Sequence, residues 1–501
     1  MKLKATTLAI AAVLFGAAVS AVAQPANDNF ADRIFLTGYT NVEPASSTTA
    51  TAEPGEPNGK NLLLYGSVWY QWTAPDNGTA HLYYTGDGYF REFGVYTGSK
   101  LNGLHHIGKY DERVTFEVKA GQVFQIQAMA PHTTPDYFVH VDLVPRPIND
   151  DFADRFQLEG AMVSTNGDNE AATREPAEPK HNGLKFGRSL WYSWTAPATG
   201  WLFVDLTNSP ALVCEPYVGN SAGRLKPVGG VLINQNPFSG ALPVQAGVEY
   251  ELAVDGTLYY DKVVHSGSFD LNLEFTGLTL SSPANNQEFF GASQIQLNAT
   301  DLVPVIDGTI DQVTFYASNV ISGQEVALGE SSGPAFSLTW TNPPNGYFRL
   351  QARGTNDSAR VVRSNPVIIA NRPINDDQAN SIVLEGATPA WTADFAAATR
   401  VKGDPKVAKT LQDDFDGSTL WYTWTAPADG LVTIHCSNWT IGMAVYTGKP
   451  GGFKIVMAPT YDYNDSPGQF QAKAGQTYQI LLSDRYPASA PSHGDLTLTL
   501  Q

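Results

Sequence analysis

The chain of 501 residues contains one seven-residue string three times, and this repetition constrains its fold more than any other feature. The string reads Trp-Tyr-x-Trp-Thr-Ala-Pro and begins at Trp69, Trp191 and Trp421. A second shared string, Asn-Asp-x-x-Ala, precedes each copy and begins at Asn27, Asn149 and Asn375. The repeat is longer than the roughly 20–50 residues of a solenoid unit. We therefore expect a tandem array of whole domains.

The spacing of the copies locates an insertion. Trp69 and Trp191 are 122 residues apart, whereas Trp191 and Trp421 are 230 residues apart. The excess of 108 residues is the size of a further domain and lies between Gly277 and about Asn371. The sequence thus predicts three related domains and one unrelated domain.

Short segments of alternating apolar and polar residues, such as 202–206, 269–273 and 496–500, predict β-strands. Glycine and proline turns separate them, and no sustained helical periodicity is present. The composition agrees, with 45 Gly, 32 Pro and only 16% charged residues. We predict an all-β fold of tandem antiparallel β-sandwiches, with about eight strands in each jelly-roll-like repeat.

The charge balance excludes some partners. The chain has 31 Lys and Arg against 49 Asp and Glu, which gives a formal net charge of −18. Like-charge repulsion opposes binding to nucleic acid or to an anionic bilayer. We expect no nucleic-acid partner.

The N-terminus predicts a secretory signal peptide at 1–23. Lys2 and Lys4 precede an apolar stretch at 8–18, and Ala21-Val22-Ala23 gives a small-x-small cleavage pattern before Gln24. No later apolar run reaches the roughly 20 residues of a membrane span. We expect a secreted or periplasmic protein without membrane insertion.

The first two copies resemble a secreted bacterial β-sandwich repeat of the pre-peptidase C-terminal type. The resemblance rests on the two strings above and on Ala-Thr-x-Glu-Pro-x-Glu-Pro at 50–57 and 172–179. The third copy departs from the pattern, because 398–405 keeps a single acid and a single proline. The inserted segment is similar to bacterial immunoglobulin-like domains, through segments such as 313–316 and 346–350. These resemblances imply export and a non-catalytic attachment role.

Together these features predict five segments. They are a signal peptide at 1–23, a first sandwich at 24–145, a second at 146–276, an immunoglobulin-like domain at 277–371 and a third sandwich at 372–501.

The first tryptophan of each seven-residue string is a candidate binding residue. Alternation along the strand puts Trp69, Trp191 and Trp421 on the face opposite the expected core. An exposed indole there would offer a sugar-stacking platform. Alternatively, the Asn-Asp segment or the Glu-Pro loop of the same copy covers each indole. We favour burial, because a repeated domain most readily keeps what each copy needs to fold.

Two acidic loops are candidate calcium sites, because they place several oxygen ligands close together. Their residues are Asp413, Asp414, Asp416, Asp462, Asn464 and Asp465. Neither loop has the spacing of an EF-hand. Solvated turn carboxylates that cap backbone N–H groups are the alternative. Apart from this calcium hypothesis, we expect no cofactor.

Catalytic motifs are scarce. Gly219-Asn220-Ser221-Ala222-Gly223 matches the G-x-S-x-G pattern, but that motif requires a strand-to-helix turn and here falls in a predicted hairpin loop. The nine histidines form no recognisable zinc pattern. We expect no enzymatic activity. We also expect Cys214 and Cys436 to be two buried free thiols, with an inter-domain disulfide as the alternative.

The sequence therefore favours a secreted, non-catalytic binding or adhesion protein that acts on an extracellular glycan or a partner surface protein. One alternative is a structural spacer or matrix component without a specific ligand. Another is an accessory subunit of an extracellular hydrolase, or a hydrolase with a cryptic site. The oligomeric state stays open.

Overall fold

The computed structural model describes residues 23–57, 65–87, 91–134, 136–183, 187–209, 212–229, 232–233, 241–256, 265–333, 335–405, 417–462, 467–484 and 493–501. The predicted signal peptide at 1–23 lies, except for its last residue, outside these described residues and stays a prediction. Strands dominate the described part, and its single α-helix is one turn long. The prediction of tandem all-β domains is confirmed.

The described part of the first sandwich contains nine strands. They are β1 (Ile34–Leu36), β2 (Thr40–Ala45), β3 (Tyr65–Thr73), β4 (Gly78–Thr85), β5 (Glu92–Thr97), β6 (His105–Asp111), β7 (Arg113–Val118), β8 (Val123–Pro131) and β9 (Tyr137–Pro145). A five-stranded sheet has the order β1-β3-β8-β5-β6, and a four-stranded sheet has the order β2-β9-β4-β7. Short 3₁₀ turns lie at Phe30–Asp32 and Leu101–Gly103.

The second sandwich repeats this topology. Its strands are β10 (Phe156–Leu158), β11 (Met162–Asp168), β12 (Leu190–Thr195), β13 (Gly200–Thr207), β14 (Leu212–Val218), β15 (Lys226–Pro227), β16 (Leu232–Ile233), β17 (Leu242–Val244), β18 (Glu249–Gly256) and β19 (Ser268–Thr276). The larger sheet has the order β10-β12-β18-β14-β15, with β16 also paired to β14, and the smaller has the order β11-β19-β13-β17. Short 3₁₀ turns lie at Ile148–Asp150, Phe152–Asp154, His181–Gly183 and Ala222–Arg224.

The inserted domain has a different topology. Its elements are β20 (Leu278–Ser282), β21 (Gln287–Phe290), β22 (Gln294–Asp301), α1 (Pro304–Asp307), β23 (Ile310–Asn319), β24 (Glu325–Ser332), β25 (Ala335–Thr341), β26 (Gly346–Asn356), β27 (Val361–Arg363) and β28 (Val367–Arg372). A three-stranded sheet, β20-β22-β25, packs on a larger sheet, β21-β28-β26-β23-β24, in which β27 also pairs with β26.

The third sandwich returns to the topology of the first. Its strands are β29 (Ile382–Leu384), β30 (Ala390–Asp394), β31 (Thr419–Thr425), β32 (Gly430–Cys436), β33 (Ile441–Thr447), β34 (Lys454–Tyr461), β35 (Gly468–Ala472), β36 (Thr477–Asp484) and β37 (His493–Leu500). The sheets have the orders β29-β31-β36-β33-β34 and β30-β37-β32-β35. Short 3₁₀ turns lie at Ile374–Asp376 and Gln378–Asn380.

One strand in each repeat departs from the antiparallel expectation. The short strand after the Asn-Asp motif pairs in parallel with the strand of the seven-residue string, as β1 does with β3, β10 with β12 and β29 with β31. The strand between these two along the chain (β2, β11 or β30) belongs to the opposite sheet. The chain therefore crosses to that sheet and comes back before it pairs with the short strand. This edge strand explains why the repeats hold more than the eight strands predicted.

The glycine after each seven-residue string has a packing role. Gly78, Gly200 and Gly430 each begin a strand of the smaller sheet. A Cβ atom at any of them would meet the carbonyl oxygen of a neighbouring chain segment, that of Val144, Thr276 or Gln501 respectively. Only glycine permits so close an approach of two backbones.

Candidate functional site

The first tryptophan of each string is buried. Trp69, Trp191 and Trp421 all have 0% of their surface exposed. The favoured expectation that they are buried is confirmed, and the alternative of an exposed sugar-stacking platform is wrong. They lie on the outer face of the larger sheet, as the alternation predicts, but loops of their own copy cover them. The part of the outer sheet face that carries each tryptophan is thus covered within its own domain.

The Asn-Asp motif forms half of this cover. In the first copy, Asn27 donates from Nδ2 to the Trp69 carbonyl at 3.1 Å, and the ring of Phe30 packs edge-on against the indole at 5.0 Å. Asp28 holds the Glu-Pro loop, because its carboxylate accepts from the backbone N–H and the hydroxyl of Thr51 at 2.6 and 2.7 Å. The equivalent asparagines, Asn149 and Asn375, make the same bond at 3.0 Å.

The Glu-Pro loop forms the other half. Glu56 is buried and accepts from Trp69 Nε1 at 2.9 Å and from the Ser67 hydroxyl at 2.8 Å. In the third copy, whose motif keeps a single acid and a single proline, Asp404 accepts from Trp421 Nε1 at 3.0 Å. The single acid that the third copy retains therefore performs the same structural task.

The second copy differs in a way that the sequence pattern did not reveal. His181 enters the cover, and its Nε2 lies 2.6 Å from Glu178 while its Nδ1 lies 2.7 Å from the Tyr217 hydroxyl. Ser189 also donates to Glu178. The buried Trp191 Nε1 is left without a hydrogen-bond partner.

This cluster does not have the geometry of a nucleophile activated by a base. Such a site requires a serine hydroxyl bonded to a histidine ring nitrogen. Here Ser189 and His181 both bond to Glu178, and the second ring nitrogen of His181 contacts Tyr217. All four side chains are buried. The cluster is a packing network.

The same sheet of the second sandwich carries two further buried acids. Burial raises the pKa of Glu251 to about 7 and that of Asp255 to about 6. Arg155 lies 2.8 Å from Glu251 and opposes the first shift. In the other copies the residue aligned with Glu251 by strand register is Gln125 or Gln479. The ionisable group is therefore specific to the second sandwich.

The calcium candidates are only partly described. Asp413, Asp414, Asp416, Asn464 and Asp465 lie outside the described residues. The carboxylate of Asp462 accepts from the Cys436 backbone N–H at 3.1 Å and lies 3.1 Å from His435 Nδ1. Within the described ranges, no group of three His, Cys, Asp or Glu side chains could hold a metal ion. Calcium binding stays a prediction.

The structure shows the state of both cysteines. Cys214 and Cys436 are both buried and free. The expectation of buried free thiols is confirmed, and the inter-domain disulfide does not form.

An open cleft of about 750 Å³ lies where the second sandwich meets the inserted domain. Its described lining is Thr199, Gly200, Trp201, Val218, Val228, Gly229, Leu242, Pro243, Val244, Gln245, Val248, Tyr250, Thr279 and Leu302. The sandwich supplies the floor through β13, β17 and β18, and the inserted domain supplies Thr279 and Leu302. Sequence reasoning missed this cleft, because its walls come from segments far apart in the chain.

Trp201 stands at the junction of the two walls. Its indole is partly exposed, and Nε1 donates to the Thr279 hydroxyl of the inserted domain at 3.1 Å. The alternation of β13 explains its position, since Leu202, Val204 and Leu206 point into the core and Trp201 points outward. The structure thus offers an accessible tryptophan, although not one of those that the sequence singled out.

The junction fixes the two walls relative to each other. Arg363 of β27 lies 4.0 Å above the Phe203 ring and donates to Asp205 and Glu274 at 2.9 Å each. Arg360 donates to the Phe275 carbonyl at 2.9 Å. Val303 and Ile306, on either side of Pro304, also pack against the core of the sandwich. These contacts give the cleft a preformed shape.

The chemistry of this cleft suits binding. Ligand sites are typically concave and mostly apolar, about 300–1,000 Å³ in volume, with a few polar groups. The cleft meets this description, and its described lining contains no charged side chain. Its described lining therefore offers a ligand mainly apolar contact area.

Comparison with solved structures finds low similarity. Fibronectin(III)-like modules of CbhA from Clostridium thermocellum show 18% identity and a TM-score of 0.17, with 19% of this chain and 96% of that chain covered. The secreted serine protease VesC from Vibrio cholerae shows 10% identity and a TM-score of 0.19, covering 58% and 73%. The Bacteroides ovatus protein SGBP-B, in complex with a mixed-linkage heptasaccharide, shows 9% identity and a TM-score of 0.13, covering 91% and 99%.

No curated protein matches the chain. In the described part of the structure, no helix has the length and apolar character needed to cross a membrane. The resemblance of the repeats to the pre-peptidase C-terminal type stays a prediction. The inserted domain, by contrast, has a family match: residues 278–352 match the model of the bacterial Ig domain.

Proposed function

We propose that this protein is a non-catalytic binding or adhesion protein that acts outside the cytoplasm. The observation that carries the proposal is the preformed, uncharged cleft between the second sandwich and the bacterial Ig domain, with Trp201 at its rim. The predicted signal peptide and the bacterial Ig domain support an exterior location. The sequence allows two ligand classes, an extracellular glycan and a partner surface protein.

The buried polar groups support binding over catalysis. The described acids, histidine and serine of the repeated cover bond to each other or to the backbone, and they hold the Glu-Pro loop on the sheet. These contacts stabilise the fold of each copy. The need to fold therefore explains the repetition of the motif, and a catalytic role common to the copies is not required. The described lining of the cleft is instead mostly aromatic and aliphatic.

A glycan array and a pull-down with the mature chain test the proposal. Each identified binder is then titrated while tryptophan fluorescence is recorded. We expect a saturable change that Trp201→Ala removes. Trp439→Ala is the matched control, because Trp439 is 47% exposed in the third sandwich, far along the chain from the cleft.

Three outcomes would overturn the proposal. A chain that binds neither a glycan nor a protein saturably would be a structural spacer. Turnover of glycoside, ester or peptide substrates by the purified chain would make it a hydrolase. Binding that survives Trp201→Ala and is lost in Trp439→Ala would place the site in the third sandwich, away from this cleft.

A further inference from the structure

The loop segment that covers Trp191, residues 173–181, is attached to its sheet differently from its counterparts, and we call it the second cover. In the first and third copies, a carboxylate of the covering loop accepts from the indole N–H of the covered tryptophan, at 2.9 and 3.0 Å. In the second copy, the buried Trp191 Nε1 has no hydrogen-bond partner within the described part of the chain. The second cover therefore lacks the bond that ties each counterpart to its tryptophan.

Titratable side chains attach the second cover instead. His181 places Nε2 at 2.6 Å from Glu178 and Nδ1 at 2.7 Å from the hydroxyl of Tyr217 on the sheet. Ser189 donates to Glu178, and Glu215 lies 3.9 Å from His181 Nδ1. The attachment thus depends on a histidine and on carboxylates, whose hydrogen-bonding roles change with protonation.

Two further carboxyl groups lie between the sheet and the segments that cover it. Asp255 accepts from two backbone N–H groups at 2.6 Å each through one oxygen, and its other oxygen is buried without a partner among the described residues. Glu251 forms an ion pair of 2.8 Å with Arg155, whose guanidinium lies 4.5 Å from the ring of Phe152 in the cover. Both acids are buried. Ionisation of either one therefore places negative charge beneath a closed cover.

The extra acids belong to the second copy alone. Strand register gives the residues that occupy the positions of Glu215, Glu251 and Asp255 in the other copies. They are Gly94, Gln125 and Met129 in the first copy and Ala444, Gln479 and Ser483 in the third. None of these six residues is ionisable. The first and third copies therefore serve as controls within the same molecule.

The charged groups around the second cover include more acids than cations. The acids are Asp150, Glu175, Glu178, Glu215, Glu249, Glu251 and Asp255, and the cations are Arg146, Arg155, Arg174 and, when protonated, His181. Like charges in a buried site repel more strongly than they do in water. Full ionisation of these acids therefore favours separation of the loop from the sheet.

The direction of the pH dependence follows from burial. Burial raises the pKa of Glu251 to about 7, although Arg155 opposes the shift, and raises the pKa of Asp255 to about 6, although His181 opposes it. The closed cover therefore holds these protons more tightly than an open cover would. Closure is strongest below the ordinary pKa of a carboxyl group and weakens as the pH rises through 6 and 7.

We propose that the second cover is closed at acidic pH and opens above neutral pH to release Trp191, whereas its counterparts at 51–57 and 399–405 stay closed. The counterparts keep their bond to the indole and lack the extra acids. Trp191 and Tyr217 belong to a cluster on the outer face of the sheet, separate from the core between the two sheets. Opening therefore leaves the sandwich folded. This inference goes beyond the proposed binding function and does not depend on it.

Hydrogen exchange of the full chain at pH 5 and about pH 8 tests the proposal, after correction for the intrinsic exchange rate. The backbone N–H groups of Thr51, Thr173 and Thr399 are matched reporters, because each donates to the aspartate of its own Asn-Asp motif. We expect the protection of Thr173 to fall by about tenfold or more at the higher pH, and that of the other two by less than about threefold. An equal change at all three positions would overturn the inference.

The strands β13 and β19 report whether the opening is local. At about pH 8 we expect Thr173 to be less protected than the amides of these strands by about tenfold or more. Equal protection would mean that the cover opens only when the whole sandwich unfolds, and would overturn the inference.

Hydroxyl-radical footprinting gives an independent readout of the tryptophan itself. We expect the oxidation of Trp191 to match that of Trp69 and Trp421 at pH 5 and to exceed it several-fold at about pH 8. Equal oxidation of the three tryptophans at the higher pH would show that the cover does not open.

A double variant, Glu251→Gln with Asp255→Asn, removes the two charges and keeps an oxygen acceptor at each position. We expect Thr173 in this variant to stay protected at about pH 8, whereas Glu159→Gln, at an exposed position in the same sandwich, behaves as the unaltered chain does. If the double variant fails to fold, Glu251→Gln alone should reduce the loss of protection, since glutamine occupies this position in the other copies. The same loss in Glu251→Gln and Glu159→Gln would overturn the inference.

Discussion

The indole of Trp69 donates a hydrogen bond of 2.9 Å to the carboxylate of Glu56, and both side chains are buried on the outer face of a sheet. This bond joins residues of two motifs, and the two residues are 13 positions apart in the chain. It explains why a tryptophan that points away from the core is nevertheless inaccessible. The loop that carries Glu56 serves as a cover for the sheet.

Removal of this carboxylate should destabilise the first sandwich. Glu56→Ala leaves the donors of Trp69, Ser67 and Gln127 without their acceptor. Each buried unpaired donor costs about 1–3 kcal/mol, so we expect a loss of at least about 2 kcal/mol in the free energy of unfolding. Calorimetry of the full chain measures the shift. Glu112→Ala, at an exposed position between β6 and β7, is the control and should change it by less than about 1 kcal/mol.

The second sandwich should lose stability as the pH rises. Burial raises the pKa of Glu251 to about 7 and of Asp255 to about 6, so the folded domain holds these protons more tightly than the unfolded chain does. This stability is complete below the unfolded pKa of about 4–4.5 and declines as the pH rises toward 7. Melting curves between pH 5 and about pH 8 should show the decline.

Glu251→Gln provides the sharper form of this test, because glutamine occupies the aligned position in the other two sandwiches. We expect the melting temperature of the variant at pH 8 to exceed that of the unaltered chain by about 2 °C or more. We also expect its melting temperature to change less with pH. Glu159→Gln, at an exposed position in the same sandwich, should leave the curve unchanged. An equal effect of the two substitutions would contradict the assignment to Glu251.

The junction between the second sandwich and the bacterial Ig domain should depend on Arg363. Arg363→Ala removes the cation above Phe203 and the bonds to Asp205 and Glu274. We expect the two domains to unfold as separate transitions in calorimetry and small-angle scattering to report a broader range of shapes. Arg353→Ala is the matched control, since Arg353 pairs with Glu325 at 2.7 Å and lies over Tyr316, all within one domain. Loss of coupling in the control as well would refute this role.

The thiols should be inert while the protein is folded. Burial raises the pKa of Cys214 to about 12 and also raises the pKa of Cys436, so neither forms the reactive thiolate at neutral pH. A colorimetric thiol reagent should report almost no reaction with the native chain and both thiols after denaturation. Rapid reaction of either cysteine in the native chain would contradict the buried positions.

Several parts of this architecture follow from local patterns. Period-two alternation predicted that Trp69 faces away from the core, and the structure agrees, because Tyr70 and Trp72 lie in the core and Trp69 packs on the opposite face. The recurrence of the three strings predicted three domains of one fold, and their sheets share one topology. The alternation does not predict what covers Trp69, because the cover depends on contacts that Asn27 and Glu56 make with Trp69 from other parts of the chain.

The sequence by itself determined that the chain is a series of β-sandwiches with one inserted domain, because strand periodicity and repetition are properties of neighbouring residues. Only the tertiary structure decided which tryptophans are covered and which are accessible. It buried Trp69, Trp191 and Trp421 and left Trp201 partly exposed beside Thr279. The physical reason is that the cleft and its junction depend on contacts such as Arg363 with Asp205, which are 158 residues apart and leave no local pattern.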